Sequence, residues 1–188
     1  MKKNIILFIF FLSIACQPIE KIEHVVFDNN QFSKFDILAS SIDIITIFEK
    51  KISDPYIGYS LKISPTQRLI NWINDNFKAL GNENNFNITI LDASLKQTKF
   101  ENKDAQNFDE KTNYKYELFY LVEFNLYSDS NNLIASTLVE TKRSTTSGVY
   151  ISIQEKENIV NDLIYQSLFD LSNDSKQLLI QYMGNFIL

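Results

Sequence analysis

The chain has 188 residues, a formal net charge of −5 and 45% hydrophobic residues, among them 15 Phe and 9 Tyr. That apolar content is ample for a packed core and excludes disorder over the whole chain, while the length fits a single domain. The acid excess, with arginine only at Arg68 and Arg143, excludes electrostatic capture of nucleic acid, whose phosphates demand clustered cations.

The first fifteen residues read as a leader. Met1-Lys2-Lys3-Asn4 is a basic n-region, Ile5 to Leu12 an apolar h-region, and Ala15 the small residue that a signal peptidase needs before its cut. The apolar run from Ile5 to Ile14 falls well short of the roughly 20 residues of a membrane-spanning helix. Ser13-Ile14-Ala15-Cys16 closes the leader with the sole cysteine and resembles a bacterial lipobox. Leu12 stands one place further from Cys16 than is usual, and Ser13 holds a position where an aliphatic residue is commoner. The resemblance implies cleavage between Ala15 and Cys16 and lipid attachment at Cys16, as a thioether-linked diacylglycerol with an N-acyl chain. Several acyl chains, at about 0.8 kcal/mol per buried methylene, make such an anchor effectively permanent. Cleavage leaves 173 residues and, with Lys2 and Lys3 gone, a net charge of −7. With Cys16 modified, no thiol is left for disulfides, metal binding or redox chemistry. Gln17, rather than an acidic residue, follows the cysteine, which favours the outer membrane facing the periplasm.

Residues 16–35 then form a tether, with Pro18 and the charged Glu20-Lys21-Ile22-Glu23, followed by a polar loop from Asp28 to Ser33. From Gln17 to about His24 it reaches at most roughly 28 Å. A single domain is expected over residues 36–188. Ser41 to Glu49 alternates as a strand, with Ile42, Ile44 and Phe48 against Asp43, Ile45 and Ile47. After the break at Asp54-Pro55, the alternation of Ile57, Tyr59, Leu61 and Ile63 predicts a second strand.

Ser64 as a cap, Pro65 at the first helical position and Gln67 completing a capping box predict a helix start. Leu69, Ile70, Trp72, Ile73, Phe77 and Leu80 fall on one face, as a core stripe, and Gly81 is the expected stop. Phe86 to Leu95 alternates with a change of phase that predicts a bulge near Leu91-Asp92. Lys96 to Asn113 has no period and is expected to be a long loop. Tyr114 to Leu126 alternates throughout, Ser128 to Asn132 is a turn, and Leu133 to Thr146 returns as the antiparallel partner. Ser152 and Glu155 form a second capping box, opening a helix to Met183 of roughly 45 Å. Its stripe is Val160, Leu163, Ile164, Leu168, Leu171, Leu178 and Tyr182, with Asn173-Asp174-Ser175 as a weak point. The expected fold is therefore α+β: a mainly antiparallel sheet with two α-helices packed on one face.

Two likenesses follow from these elements. Ile63 to Leu95, with its Pro-led helix, Trp72 and closing Asp92-Ala93-Ser94, together with Leu178 to Leu188, resembles a group of small alphaproteobacterial lipoproteins that carry no assigned activity. The hairpin and capped helix, through Tyr116-Glu117-Leu118, Asp129 to Asn132 and Glu155 to Asp170, are similar to the lipopolysaccharide-assembly lipoprotein family of the outer-membrane translocon. That second likeness implies lipid or lipopolysaccharide binding, and no position-specific motif assigns residues to it.

A search for chemistry returns little. His24 is the lone histidine and sits in the tether, without partners for a triad or a metal site. The four glycines, at 58, 81, 148 and 184, form no phosphate loop. Glu117, Glu123 and Glu140 lie on hairpin strands where two carboxylates can face each other, as acid–base work requires; cross-strand ion pairing with Lys115 and Lys142 is the plainer reading. The sequon Asn87-Ile88-Thr89 has no meaning in a bacterial lipoprotein. Phe119, Leu121 and Tyr127, with Ile134 and Leu138, lie opposite the main alternation, so both sheet faces are partly apolar. Either Val25 to Phe35 covers the second face, or a partner or lipid does.

The sequence thus predicts a non-enzymatic, lipid-anchored envelope lipoprotein without a bound cofactor or metal, docking a protein partner in outer-membrane assembly or maintenance. The alternatives are a lipid- or lipopolysaccharide-binding translocon component and, more distantly, a hydrolase. Partner docking predicts an exposed apolar strip or open sheet edge, lipid carriage an enclosed cavity of acyl width, and an enzyme a concave site with carboxylates of raised pKa.

Overall fold

The computed structural model describes residues 25–103 and 112–188. Its strands are β1 (Phe35–Ile37), β2 (Ser41–Thr46), β3 (Phe77–Ala79), β4 (Asn85–Glu101), β5 (Thr112–Tyr127) and β6 (Leu133–Gly148). Two helices, α1 (Pro65–Asn76) and α2 (Ile153–Met183), complete the α+β fold. The main sheet runs β2-β4-β5-β6; β2 is parallel to β4 and the other pairs are antiparallel. β1 and β3 form a small parallel pair, so the path from β1 and β2 through α1 to β3 and β4 is one split crossover.

The alternation of β5 sets the layers. Tyr116, Leu118, Tyr120, Val122, Phe124 and Leu126 are buried beneath the helices, as are Phe86, Ile88 and Ile90 of β4 and Val139 of β6. From α1, Leu69, Trp72 and Ile73 enter this core; from α2, Val160, Ile164, Leu168, Leu171 and Leu179 do. An aromatic ladder ties the small pair to the sheet, with Phe35 stacked on Phe77 at 4.3 Å and Phe77 on Phe124 at 5.7 Å.

Both helices start at the expected serine caps, while the Gln67 side chain donates to Asn71 at 2.9 Å. Ser64 accepts from the Gln67 backbone N–H at 3.2 Å, and Ser152 from that of Glu155 at 3.1 Å. The bulge falls as expected, between Ile90 and Asp92. α2 runs unbroken through Asn173-Asp174-Ser175, because Ser175 is buried inside the packed helix face. At its end the stripe is Leu179 and Met183, both buried, while Tyr182 faces outward.

Several expectations are corrected. α1 stops at Asn76, not Gly81, because Phe77 to Ala79 extend to pair with β1, and Phe35 meets Phe77 in register. Leu80 is consequently exposed. Gly81 serves close approach instead: a Cβ there would lie 2.6 Å from the backbone N of Ala39. Tyr56 to Ile63 is no strand; it holds one bridge, Tyr56 to Lys96, and a short 3₁₀ turn at Gly58–Ser60. Lys96 to Glu101 is strand rather than loop, which extends the β4–β5 pairing to Glu101 opposite Thr112. Residues 104–111 of the expected loop lie outside the described residues.

The N-terminal segment packs on the helix side of the sheet. Phe32 and Phe35 are buried, Phe27 meets the Tyr165 ring edge-on at 5.5 Å, and the Arg68 guanidinium lies 3.7 Å from the Phe27 ring centroid. The C-terminus closes on the same region. Leu38 N–H donates to Phe186 C=O at 2.8 Å and Leu188 N–H to Asp36 C=O at 2.9 Å, with Ile187 bridged to Ile37.

Candidate functional site

The helices cover one face of the main sheet, and Val25 to Phe35, one of the two covers considered for the other face, packs with them instead. Among the described residues the opposite face is left open. The strand register places its side chains in rows. Tyr127 lies between Asn85 and Leu133, Asn125 between Asn87 and Ser136, Glu123 between Thr89 and Leu138, Leu121 between Asp92 and Glu140, and Phe119 between Ser94 and Lys142.

This register divides the apolar group that the sequence suggested. Phe119 and Leu121 are neighbours on one strand, and Leu138, 51% exposed, lies diagonal to Leu121. Tyr127 pairs with Leu133 at the far end, beyond the polar row of Asn87, Asn125 and Ser136. Eight residues of strand put it about 27 Å from Phe119. Ile134 is the extra residue at a register shift rather than a member of the face. On β2, Ile45 of the Thr89 row is also exposed, and Ile47 just beyond it more so.

The Phe119 end opens into a groove of about 520 Å³ lined by Phe119, Glu117, Lys142, Lys96, Tyr56 and Lys51, with Asp92 and Ser94 at its floor. The fold builds it where β2 parts from β4 at the bulge. The chain then returns so that Ile57 N–H donates to Leu95 C=O at 3.0 Å and Gln97 N–H to Pro55 C=O at 2.8 Å. This carries Tyr56 over the sheet. The Lys51 ammonium donates to the Tyr56 hydroxyl at 3.1 Å, and Lys96 sits 5.3 Å from the Tyr56 ring. The Lys51 hydrogen bond holds the Tyr56 hydroxyl below the ordinary tyrosine range, and the same bond raises the Lys51 ammonium.

The carboxylates are already engaged. Asp92 accepts from the Ser94 backbone N–H at 2.8 Å, and Glu117 lies 3.3 Å from Lys115 and 3.8 Å from Lys142. Across the hairpin Glu117 faces Ser144, Glu123 faces Leu138 and Glu140 faces Leu121, so no two of the three suggested carboxylates oppose each other. Among the described residues no three His, Cys, Asp or Glu side chains gather as metal ligands, and no helix is long and apolar enough to cross a membrane. Ala15, Cys16 and His24 lie outside the described residues. The face can bind through apolar contact at its centre and through cations and rings at one end. Sequence reasoning missed Lys51, Tyr56 and Lys96, which meet only through the Tyr56 bridge.

No protein-family model matches the chain, and no curated protein does. Among solved structures it is similar to a minor lipoprotein from Acinetobacter baumannii, at 11% identity and a TM-score of 0.40, over 80% of this chain and 96% of that one. It is also similar to the rare lipoprotein B from Shewanella oneidensis, at 13% identity and a TM-score of 0.33, over 75% of this chain and 98% of that one. Both likenesses are distant, and they assign neither fold nor activity.

Proposed function

We propose that this chain is a lipid-anchored, periplasm-facing envelope lipoprotein without enzymatic activity, whose domain docks a protein partner in outer-membrane assembly or maintenance. The observation that carries the reading is the open sheet face. Phe119, Leu121 and Leu138 form a short apolar strip flanked by Asp92, Glu123, Glu140 and Lys142, on the side that, among the described residues, neither helix nor Val25 to Phe35 covers. The leader ending in Ala15-Cys16 supplies the anchor, and the short tether behind it keeps the partner close to the membrane.

A second reading, lipid or lipopolysaccharide binding, is favoured by Lys51, Lys96 and Lys142 around Phe119. The groove is open and charge-lined rather than an enclosed apolar cavity of acyl width, which supports protein docking over lipid carriage.

Photo-crosslinking from Leu121 and Leu138 in intact cells, with the captured peptides sequenced by mass spectrometry, tests the docking. A captured envelope protein at both positions is the expected result. Co-purified lipid with no protein crosslink would overturn it in favour of the second reading. The anchor has its own test: Cys16→Ala moves the domain to the soluble periplasmic fraction. A variant that stays membrane-bound, with no labelled fatty acid on the parent, refutes the anchor.

A further inference from the structure

β6 is the outer strand of the main sheet, and among the described residues no strand pairs with its free edge. In an antiparallel ladder alternate residues turn both N–H and C=O away from the neighbour, so such an edge is a template for another strand. Proteins usually blunt it with charge or proline. β6 does so only in its second half, at Glu140, Lys142 and Arg143. Leu133 to Val139 carries no charge and no proline, and Leu133, Ile134 and Leu138 are each more than two-fifths exposed.

α2 supplies a wall beside this stretch. A groove of about 240 Å³ lies between Leu138, Val139 and Glu140 of β6 and Asp174, Gln177 and Leu178 of α2. An ion pair from Arg143 to Asp170 ties the same two elements together further along. The charged groups lining the groove are both acidic, Glu140 and Asp174. An edge strand beside a helix wall accepts an extended segment, with backbone hydrogen bonds for affinity and alternate side chains for specificity. The acidic lining selects its charge. A second copy of this chain would bring another Glu140 and Asp174 to the seam, whereas a cationic segment neutralises the pair already there.

We infer that the Leu133–Glu140 edge of β6, walled by α2, takes an extended partner segment that alternates apolar residues with Lys or Arg, added as a fifth strand to the sheet. This rests on the partner-docking reading and names the part of the partner that is recognised.

Hydrogen–deuterium exchange of the lipidated protein in detergent micelles tests it, with an acetylated hexapeptide alternating lysine and valine as probe and its glutamate–valine counterpart as control. The outward-turned amides among residues 133–140 slow by about tenfold with the lysine peptide and not with the glutamate peptide. Glu140→Lys combined with Asp174→Lys abolishes the effect while exchange in β4 and β5 stays as in the parent. Three results overturn the inference: no protection, equal protection by both peptides, or protection that rises with protein concentration alone, which would mark a second copy. Should the peptide fail while Leu121 still crosslinks a partner in cells, the edge site falls and partner docking stands. Should the peptide protect and neither Leu121 nor Leu138 crosslink anything, the docking reading falls instead.

Discussion

The two faces of the main sheet are made by the same strands, residue by residue in alternation, yet they have opposite tasks. On the helix side Phe86, Phe124, Val122 and Val139 are inaccessible to solvent in the core that the helices cover. On the other side Phe119 and Leu121 are half-buried, Leu138 is exposed, and the charges of Glu117, Lys115 and Lys142 pair in solvent. Folding free energy is concentrated where side chains leave water and pack against many neighbours. One face of β5 therefore answers for stability, and its other face is free to change without loss of the fold.

The sharpest way to break that comparison is a pair of truncations. Phe124→Ala opens a cavity among Phe77, Phe86 and the β-sheet core and costs about 3–5 kcal/mol, read as a fall in urea midpoint. Leu138→Ser on the open face stays within about 0.5 kcal/mol, and a larger loss would mean that something of this chain covers it. A backbone test of intermediate size comes from Gly81→Ala, whose Cβ must displace the Leu38–Ala39 peptide. It costs about 1–3 kcal/mol; a neutral result would show that the β1–β3 pair yields freely.

The smallest effect is spectroscopic and sets one tyrosine from each face against the other. Burial pushes the Tyr120 hydroxyl, which donates to Pro65 C=O at 3.1 Å, far above the ordinary value of 10.0. Its native-state pKa thus exceeds its unfolded one. The corresponding stability is complete below pH 10 and is lost as pH rises beyond it, because the unfolded chain ionises first. Tyr56, on the open side, is held by its Lys51 hydrogen bond below the ordinary tyrosine value. Absorbance titration at alkaline pH should show an early phase that disappears in Tyr56→Phe and moves upward in Lys51→Met, with no phase from Tyr120 before unfolding.

Much of the fold was legible because its signals are local. The β5 alternation, the caps at Ser64 and Ser152 and the phase change at Leu91 each depend on neighbours in sequence. The end of α1 was not legible: Phe77 continues the helical stripe of Trp72 and Ile73, and only the distant Phe35 draws it into a strand. Tyr56 to Ile63 alternates like a strand, but only Tyr56 bridges to β4, and a 3₁₀ turn follows at Gly58. Of the candidate site, Phe119 and Leu121 could be read from the reversed alternation. The split from Tyr127 depends on the polar row between them, and the groove depends on three segments that meet only in space.

The clasp between Phe35–Ile37 and Phe186–Leu188 has a consequence for the order in which the domain can assemble. Phe35 to Ile37 are complete only when Phe186 to Leu188 have joined them. A chain that emerges N-terminus first must therefore hold Phe35 to Ile37 in waiting until Phe186 to Leu188 have followed. Any factor that guards such a chain in transit has to stay with it until those residues have emerged.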